Sequence, residues 1–343
     1  MTRVALCGAG WIAAAHAAAV RSAGYELVAV ASRSPERAAE QAAKWKAQAV
    51  SYEQLPADAD IVVVATPPQA HAADAVRLLE AGVAVLLEKP LCRTLDEADR
   101  IVDAAAAHGE RLLYAENLAY APAIVELVGR AATLGRLTNL EARTIQSLPT
   151  WGDFTSDEWG GGALFDLGVH PLALVLLTAA AAGEGRPVGV SATLRGGEGH
   201  GTDEHAEVAL RFASGLVATV VASWQGGPNG VWDVQAASDT GVLRLELLPA
   251  ITLERNGEPV PVPEPTAAIP VIEQFGYLGQ LRALVDDVGA GRPPSMSAAF
   301  GRDVLQVVCA AYASAGRSGE EVALPFTGRR DLTPLELWRL RSP

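Results

Sequence analysis

A glycine turn between a short apolar run and a helix-forming segment constrains this chain more than any other feature. Val4-Ala5-Leu6-Cys7 leads into Gly8-Ala9-Gly10-Trp11-Ile12-Ala13, and an alanine-rich segment follows. A strand that ends in G-x-G-x-x-A and opens a helix is a turn in which the backbone itself is the binding surface. Gly8 allows the tight reversal, Gly10 lets a pyrophosphate approach the main chain, and Ala13 is small enough for the helix to pack on the strand. The free N–H groups and positive dipole at the helix start favour the anion. Gly8, Gly10, Trp11 and Ile12 are therefore candidate dinucleotide contacts. The competing reading, an ordinary glycine turn in an unrelated α/β domain, is disfavoured by the strand before it and the helix after it.

Downstream, apolar runs at 27–31, 49–51, 61–65, 84–87 and 112–115 alternate with helical patterns at 12–23, 35–45, 69–81 and 95–108. That rhythm predicts a parallel sheet wound by helices. From about residue 119 it changes to one helix, a strand at 137–147, a glycine-rich loop, a long apolar helix, and strands at 188–195, 205–212, 216–224, 231–237 and 242–247. Gly, Asp and Asn turns between those strands predict antiparallel pairing. The Pro-rich stretch 259–270 reads as an exposed connection, followed by helices at 271–288 and 297–313. The fold class is thus α/β: an N-terminal Rossmann doubly wound parallel sheet over residues 1–118, followed over 119–343 by an α+β domain with a large, mostly antiparallel sheet for substrate binding and oligomerisation.

Composition narrows the partners. Half of the 343 residues are hydrophobic, enough for two cores, and the net charge of -13 with no basic run disfavours nucleic acid and anionic membranes. Cys7, Cys92 and Cys309 are far apart and odd in number, so neither a disulfide framework nor a metal site is expected. Cys7, inside an apolar run, reads as a small buried hydrophobe. Met1-Thr2-Arg3 runs straight into the first strand with no leader pattern. The apolar stretch 171–182 falls short of the ~20 residues of a membrane helix. A cytoplasmic location in a reducing compartment is the expectation.

Cofactor choice turns on the tip of the second strand, where a carboxylate would bond a ribose 2′-hydroxyl and repel a 2′-phosphate. The chain reads Ala31-Ser32-Arg33-Ser34, with Glu36 only after Pro35. Ser32 and Arg33 suit a phosphate, so NADP is favoured over NAD. Arg33 lying over the adenine or in solvent would leave both cofactors acceptable.

Three further motifs point the same way. Ala65-Thr66-Pro67-Pro68-Gln69-Ala70-His71 follows the fourth strand and Glu88-Lys89-Pro90 the fifth, while Gly160-Gly161-Gly162-Ala163-Leu164-Phe165-Asp166-Leu167-Gly168-Val169-His170 lies in the second domain. With these, the chain resembles the glucose-fructose oxidoreductase/inositol dehydrogenase family; past residue 170 the likeness rests on element order alone. Independently of that, oxidising a secondary alcohol needs a base for the hydroxyl proton and a group that stabilises the alkoxide. Lys89 at a strand end can polarise the oxygen. Asp166 and His170 are four apart, so on a helix they share a face, with His170 as proton carrier and Asp166 orienting it. The resemblance implies the same catalytic set. The plainer alternatives are that Lys89 pairs Glu88 and that Asp166 caps a helix beginning at Leu167.

The resemblance also implies that Thr66, Pro67, Glu88, Lys89 and Asn117 lie along the ribose and nicotinamide half of the cofactor. His71 is a further candidate there, with a structural histidine equally open. Many relatives carry arginine after the Asn117 position, whereas Leu118-Ala119-Tyr120 stands here, which removes support for an anionic substrate. Tyr120, Trp151, Asp153 and Trp159, with Lys89, Asp166 and His170, are the candidate substrate contacts: aromatic faces stack on a sugar ring while a carboxylate takes hydroxyls. Packing as a lid or subunit contact is the alternative for the aromatics.

The reading is an NAD(P)-dependent dehydrogenase or reductase acting on the CH–OH group of a sugar, cyclitol or related polyol. A glycoside hydrolase with tightly bound NAD and a non-catalytic dinucleotide-binding regulator are the alternatives. Strands 216–224 and 231–237 are the expected contact of a homodimer or homotetramer.

Overall fold

The computed structural model describes residues 1–197 and 199–340. In its N-terminal part, β1 (Arg3–Cys7), α1 (Trp11–Ser22), β2 (Glu26–Ala31), α2 (Pro35–Trp45), β3 (Gln48–Val50), β4 (Ile61–Val64), α3 (Pro68–Glu80), β5 (Ala84–Glu88), α4 (Leu95–Ala107) and β6 (Leu112–Ala115) alternate along the chain. All six strands are parallel, in the order β3-β2-β1-β4-β5-β6. Every residue of β4 and β5 is buried, as expected of central strands covered by helices on both faces. The order reverses between β1 and β4, and the crevice at the carboxyl ends of strands beside such a reversal is where ligands bind. Gly8, Thr66 and Lys89 all follow strands at that edge.

The later part begins with a 3-10 turn at Asn117–Tyr120, then α5 (Pro122–Ala131), β7 (Leu137–Ile145), α6 (Ala163–Asp166) and α7 (Val169–Ala181). Strands β8 (Pro187–Gly196), β9 (Asp203–Phe212), β10 (Val217–Ser223), β11 (Val231–Ser238), β12 (Gly241–Leu248), β13 (Thr252–Arg255) and β14 (Glu258–Pro259) follow. Last come α8 (Pro270–Gln274), α9 (Tyr277–Gly289), α10 (Ala298–Gly316), β15 (Val322–Ala323) and α11 (Pro334–Arg339). The second sheet has nine strands in the order β14-β13-β12-β11-β7-β10-β9-β8-β15, antiparallel except for the parallel β7–β10 pair. Burial alternates along β9, β10 and β12, so one face carries the core. Helix α7, buried along most of its length, packs on β7 and β10. Among the described residues no helix is long and apolar enough to cross a membrane.

Compact units differ from a simple cut at residue 118. One unit holds Met1–Cys92, Asp96–Ala121 and Pro265–Arg302; the other holds Arg93–Leu95, Pro122–Glu264 and Asp303–Pro343. Residues 265–302, placed by chain order with the second domain, fold back onto the first. The single helix expected over 271–288 is two, broken at Phe275-Gly276. Gly276 sits at φ +78°, and a Cβ there would come within 1.9 Å of the Asn117 carbonyl oxygen. The Asn117 side-chain amide donates to the Phe275 carbonyl at 2.7 Å, closing the same contact.

Candidate functional site

In the first unit the turn after β1 is shaped for a close ligand. Gly8 has φ +120°, and a Cβ on it would lie 2.4 Å from the Ala65 carbonyl oxygen, so only glycine lets the β1 and β4 ends approach. A Cβ at Gly10 would meet nothing within 4 Å, which leaves open space over the main chain. Gly10 is the N-cap of α1 and offers no side-chain cap, so no cap side chain covers the start of the helix, where an anion is favoured. Trp11 is 59% exposed, Ile12 is half-buried, and Ala13 is fully buried against the sheet. This is a backbone cradle of the kind a dinucleotide pyrophosphate fills.

At the β2 tip, Ser34 caps α2 by accepting the Arg37 N–H at 3.2 Å, and Pro35 occupies the first helical position. The Ser32 hydroxyl accepts the Ser34 N–H at 3.3 Å, and Arg33 is exposed. Arg37, which the sequence reading did not single out, donates from Nε to the Ala9 carbonyl at 2.8 Å and so stands over the glycine turn. Its position on the first turn of a capped helix was the available signal.

At the ends of β4 and β5, protein bonds take up several of the expected cofactor residues. The Thr66 hydroxyl donates to Asp74 at 3.0 Å, and Pro67 is the N-cap of α3. His71 is buried, with Nδ1 2.9 Å from the Pro90 carbonyl oxygen and Nε2 2.7 Å from that of Thr66. It therefore ties the β4 turn to the residue after Lys89. Burial pushes the His71 imidazole down from its ordinary value, against the pull of the two carbonyls and of Glu88 and Asp74.

Glu88 is also buried. Its Oε1 lies 2.6 Å from Nε2 of His16 on α1, and its Oε2 accepts the Lys89 backbone N–H at 3.0 Å. Burial pushes this carboxyl up, but the His16 hydrogen bond and charge, with Lys89, outweigh it and hold Glu88 below the usual range. Tyr277 of α9 packs edge-on against the His16 ring at 5.7 Å. Lys89 itself is half-buried, its backbone fixed from both sides by Glu88 and His71. Asn117 is buried on Phe275, and the Tyr120 hydroxyl lies 3.1 Å from the Ser295 hydroxyl.

In the second unit, Asp166 and His170 are each 5% exposed. They do not lie on one continuous helix: α6 ends at Asp166, and α7 starts at Val169 with Gly168 as its N-cap. The backbone at Leu167 and Gly168 stays right-handed, but the Gly168 N–H reaches back to Ala163 rather than Leu164. Gly168 is there because a Cβ would lie 2.6 Å from the Leu164 carbonyl oxygen. Since Gly168 holds the cap position, Asp166 is not the N-cap of α7.

Aromatic rings surround this segment. Trp232 packs against the His170 ring at 5.4 Å, and Trp224, with Ala163 and Leu167, forms a small core against which Phe154 and Trp232 lie. Phe154 lies tilted against Trp159 at 4.7 Å and meets Trp224 edge-on at 6.4 Å. The indole N–H groups of Trp159 and Trp224 are buried and have no hydrogen-bond partner among the described residues. Trp151, 41% exposed, and Asp153 stay on the surface of the preceding loop. Trp224 and Trp232 were missed because they lie just after β10 and near the start of β11, some 60 residues further on. Among the described residues no group of three or more His, Cys, Asp or Glu is placed to hold a metal ion.

Models of one family match both parts of the chain. Residues 2–116 match an oxidoreductase family with an NAD-binding Rossmann fold, Gfo/Idh/MocA, and residues 126–241 match a C-terminal domain of the same family. The chain belongs to the Gfo/Idh/MocA oxidoreductase family. Within that family it is 37% identical over 154 residues to a dTDP-3,4-didehydro-2,6-dideoxy-alpha-D-glucose 3-reductase of Saccharopolyspora spinosa, covering 43% of this chain and 46% of that one. It is 32% identical over 186 residues to a scyllo-inositol 2-dehydrogenase (NADP(+)) of Bacillus subtilis, covering 50% and 56%. The matched stretches thus span about half of these Gfo/Idh/MocA relatives. The crystal structure of GenD2 from gentamicin A biosynthesis, in complex with NAD, superposes with a TM-score of 0.83 at 27% identity, covering 94% of this chain and 96% of that one.

Proposed function

We propose that the chain is an NAD(P)-dependent oxidoreductase that interconverts a secondary alcohol and a ketone on a sugar, cyclitol or related polyol. The observation that carries this reading is the open backbone at Gly10 before an uncapped α1, at the same sheet edge from which Lys89 emerges. A nicotinamide dinucleotide, when bound, supplies the hydride acceptor or donor. Gly8, Gly10, Trp11 and Ile12 hold its pyrophosphate, while Ser32, Arg33 and Arg37 face its adenosine end. Thr66, Pro67, His71, Glu88, Lys89 and Asn117 shape the wall towards the ribose and nicotinamide, with His71, Glu88 and Asn117 acting through the bonds that fix the turns.

Lys89 supplies positive charge for the substrate oxygen, His170 carries the hydroxyl proton, and Asp166 orients His170. Tyr120, Trp151, Asp153 and Trp159 are the proposed substrate contacts. The unpaired indole N–H of Trp159 supports its place among them, since a sugar oxygen would satisfy a donor that is costly to leave buried. The names of the two relatives, a dTDP-3,4-didehydro-2,6-dideoxy-alpha-D-glucose 3-reductase and a scyllo-inositol 2-dehydrogenase, support a sugar or cyclitol substrate.

NADPH and NADH are offered in turn with a panel of sugars, cyclitols and their ketones, and nicotinamide absorbance is followed. Substrate-dependent change supports the reading. Tight cofactor binding with no net redox change on any compound favours a bound-cofactor hydrolase or a regulator, and no binding removes the dinucleotide assignment. NADP remains the favoured cofactor, because Ser32 and Arg33 follow β2 directly, while the Glu36 carboxylate accepts from the Ser34 hydroxyl at 2.7 Å and Arg37 stands over the glycine turn. Arg33→Ala is expected to weaken NADPH by about tenfold and NADH by less than about twofold, in line with the loss of one charged hydrogen bond. Equal loss of both, by fluorescence titration, contradicts the preference.

A homodimer or homotetramer in the cytoplasm is proposed, with β10 and β11 as the contact, where Val217 is 50% and Val231 36% exposed. Light scattering at micromolar concentration is expected to give a multiple of the chain mass; a monomer mass contradicts it.

A further inference from the structure

We infer that Asp203 and Tyr312, which no motif marks, are positioning residues that set the placement of Asp166 and, through it, His170. The inference rests on the catalytic reading of those two residues. Asp203 is fully buried at the start of β9. Its carboxylate accepts the backbone N–H of Gly162 at 3.0 Å and of Leu164 at 2.8 Å, and a short hydrogen bond from the Tyr312 hydroxyl. The Gly162 N–H also reaches the Tyr312 hydroxyl oxygen at 2.9 Å. Residue 162 then passes the constraint on directly, since its carbonyl accepts the Asp166 N–H at 2.9 Å.

Helix α6 has four residues and no side-chain cap of its own, because Gly162 holds the cap position. A carboxylate supplied from a strand some 40 residues away does that work, satisfying N–H groups that a short helix otherwise leaves unpaired. The approach is so close that the glycines are obligatory. A Cβ on Gly162 would lie 2.2 Å from the Asp203 carbonyl oxygen, and one on Gly161 would lie 2.3 Å from Phe165 Cβ and 3.0 Å from the Tyr312 hydroxyl. Gly161 and Gly162 therefore let the start of α6 approach Tyr312 and Asp203. Burial and the Asp203 charge push the Tyr312 hydroxyl well above the usual phenol range, which keeps it a donor.

Tyr312→Phe removes one hydroxyl at constant ring volume and is the primary test, with Asp203→Asn as the second variant. Each folded variant is compared with wild type for kcat, the pH profile of kcat, NADPH affinity and amide exchange of the 160–170 peptide. Misplacement on the ångström scale costs up to about a hundredfold in rate. Tyr312→Phe is accordingly expected to lose about tenfold or more in kcat, with a displaced pH profile, faster exchange in that peptide and NADPH affinity within about twofold. Asp166→Asn is run alongside. A large loss there with wild-type kcat, pH profile and exchange in Tyr312→Phe overturns this inference alone. Wild-type turnover in Asp166→Asn removes the catalytic reading and the inference with it.

Discussion

Lys89→Met is expected to lower kcat by about two to four orders of magnitude on any polyol that the wild-type chain turns over, while the affinity for NADPH changes by less than about threefold. Methionine keeps most of the side-chain length and packing, so the change isolates the ammonium. The charge sits at the carboxyl end of β5 next to the β1/β4 reversal, on a backbone held by Glu88 through its own N–H and by His71 through Pro90. A charged donor on a fixed backbone needs no reorganisation when negative charge develops on a substrate oxygen, and that is where the loss arises. Steady-state kinetics together with a fluorescence titration separate the two effects. Turnover within about tenfold of wild type would remove Lys89 from the catalytic set.

His16→Ala is expected to cost about 1.5–3 kcal/mol of stability at neutral pH, the usual result of removing a hydrogen-bond partner from a buried carboxylate. Glu88 would be left with the Lys89 backbone N–H but without the imidazole 2.6 Å away. The pH dependence has a definite sign. In the wild-type fold Glu88 titrates below its ordinary range, so its contribution is present above the unfolded carboxyl value of about 4.3 and is lost as pH falls through the folded value. In the variant, burial is no longer outweighed and the carboxyl moves up. Protonation then relieves the penalty, and the gap between variant and wild type narrows as the medium is acidified. Urea unfolding at pH 7 and below pH 4 measures this directly. A gap under about 1 kcal/mol, or one that is the same at both pH values, would show that the pair is not coupled as described. Because Glu88 also fixes Lys89, His16→Ala should lower kcat more than His16→Gln, which keeps a donor at that place.

Much of this was legible in the sequence because it is local. The turn at Gly8–Ala13, the strand–helix alternation after it and the all-apolar runs of β4 and β5 specify a parallel sheet from near neighbours alone. The five strands expected after residue 187 lie within a residue or two of β8–β12, since alternating burial and Gly or Asp turns are short-range signals. Long-range contacts were not legible. Gly276 inside a helical pattern costs only about 1 kcal/mol, and nothing nearby announces that the chain must break there to clear the Asn117 carbonyl. The return of residues 265–302 to the first unit rests on equally distant contacts, α9 packing on α1 and the Tyr114 N–H donating to the Met296 carbonyl at 2.8 Å.

In the candidate site, spacing alone put Asp166 and His170 on one helix. That helix is divided in two where the Gly168 N–H bonds to the Ala163 carbonyl and Gly168 becomes the N-cap of α7. His16, Arg37, Asp203, Trp224, Trp232 and Tyr312 carry no recognisable motif. Their importance comes from partners 28 to 150 residues away, such as Ala9 for Arg37 and Gly162 for Tyr312. Glu88, His71 and Asn117 were visible as motif residues, but the bonds that occupy their polar atoms were not.

The most direct test of the central claim uses NADPH deuterated at the reactive nicotinamide carbon, in each of its two stereoisomers, with the ketone form of whichever polyol the panel identifies. Hydride transfer to a secondary alcohol predicts that one of the two labelled cofactors delivers a single deuterium to the carbinol carbon, seen by mass spectrometry and NMR. A product that carries only solvent hydrogen at that carbon with either isomer would contradict the account.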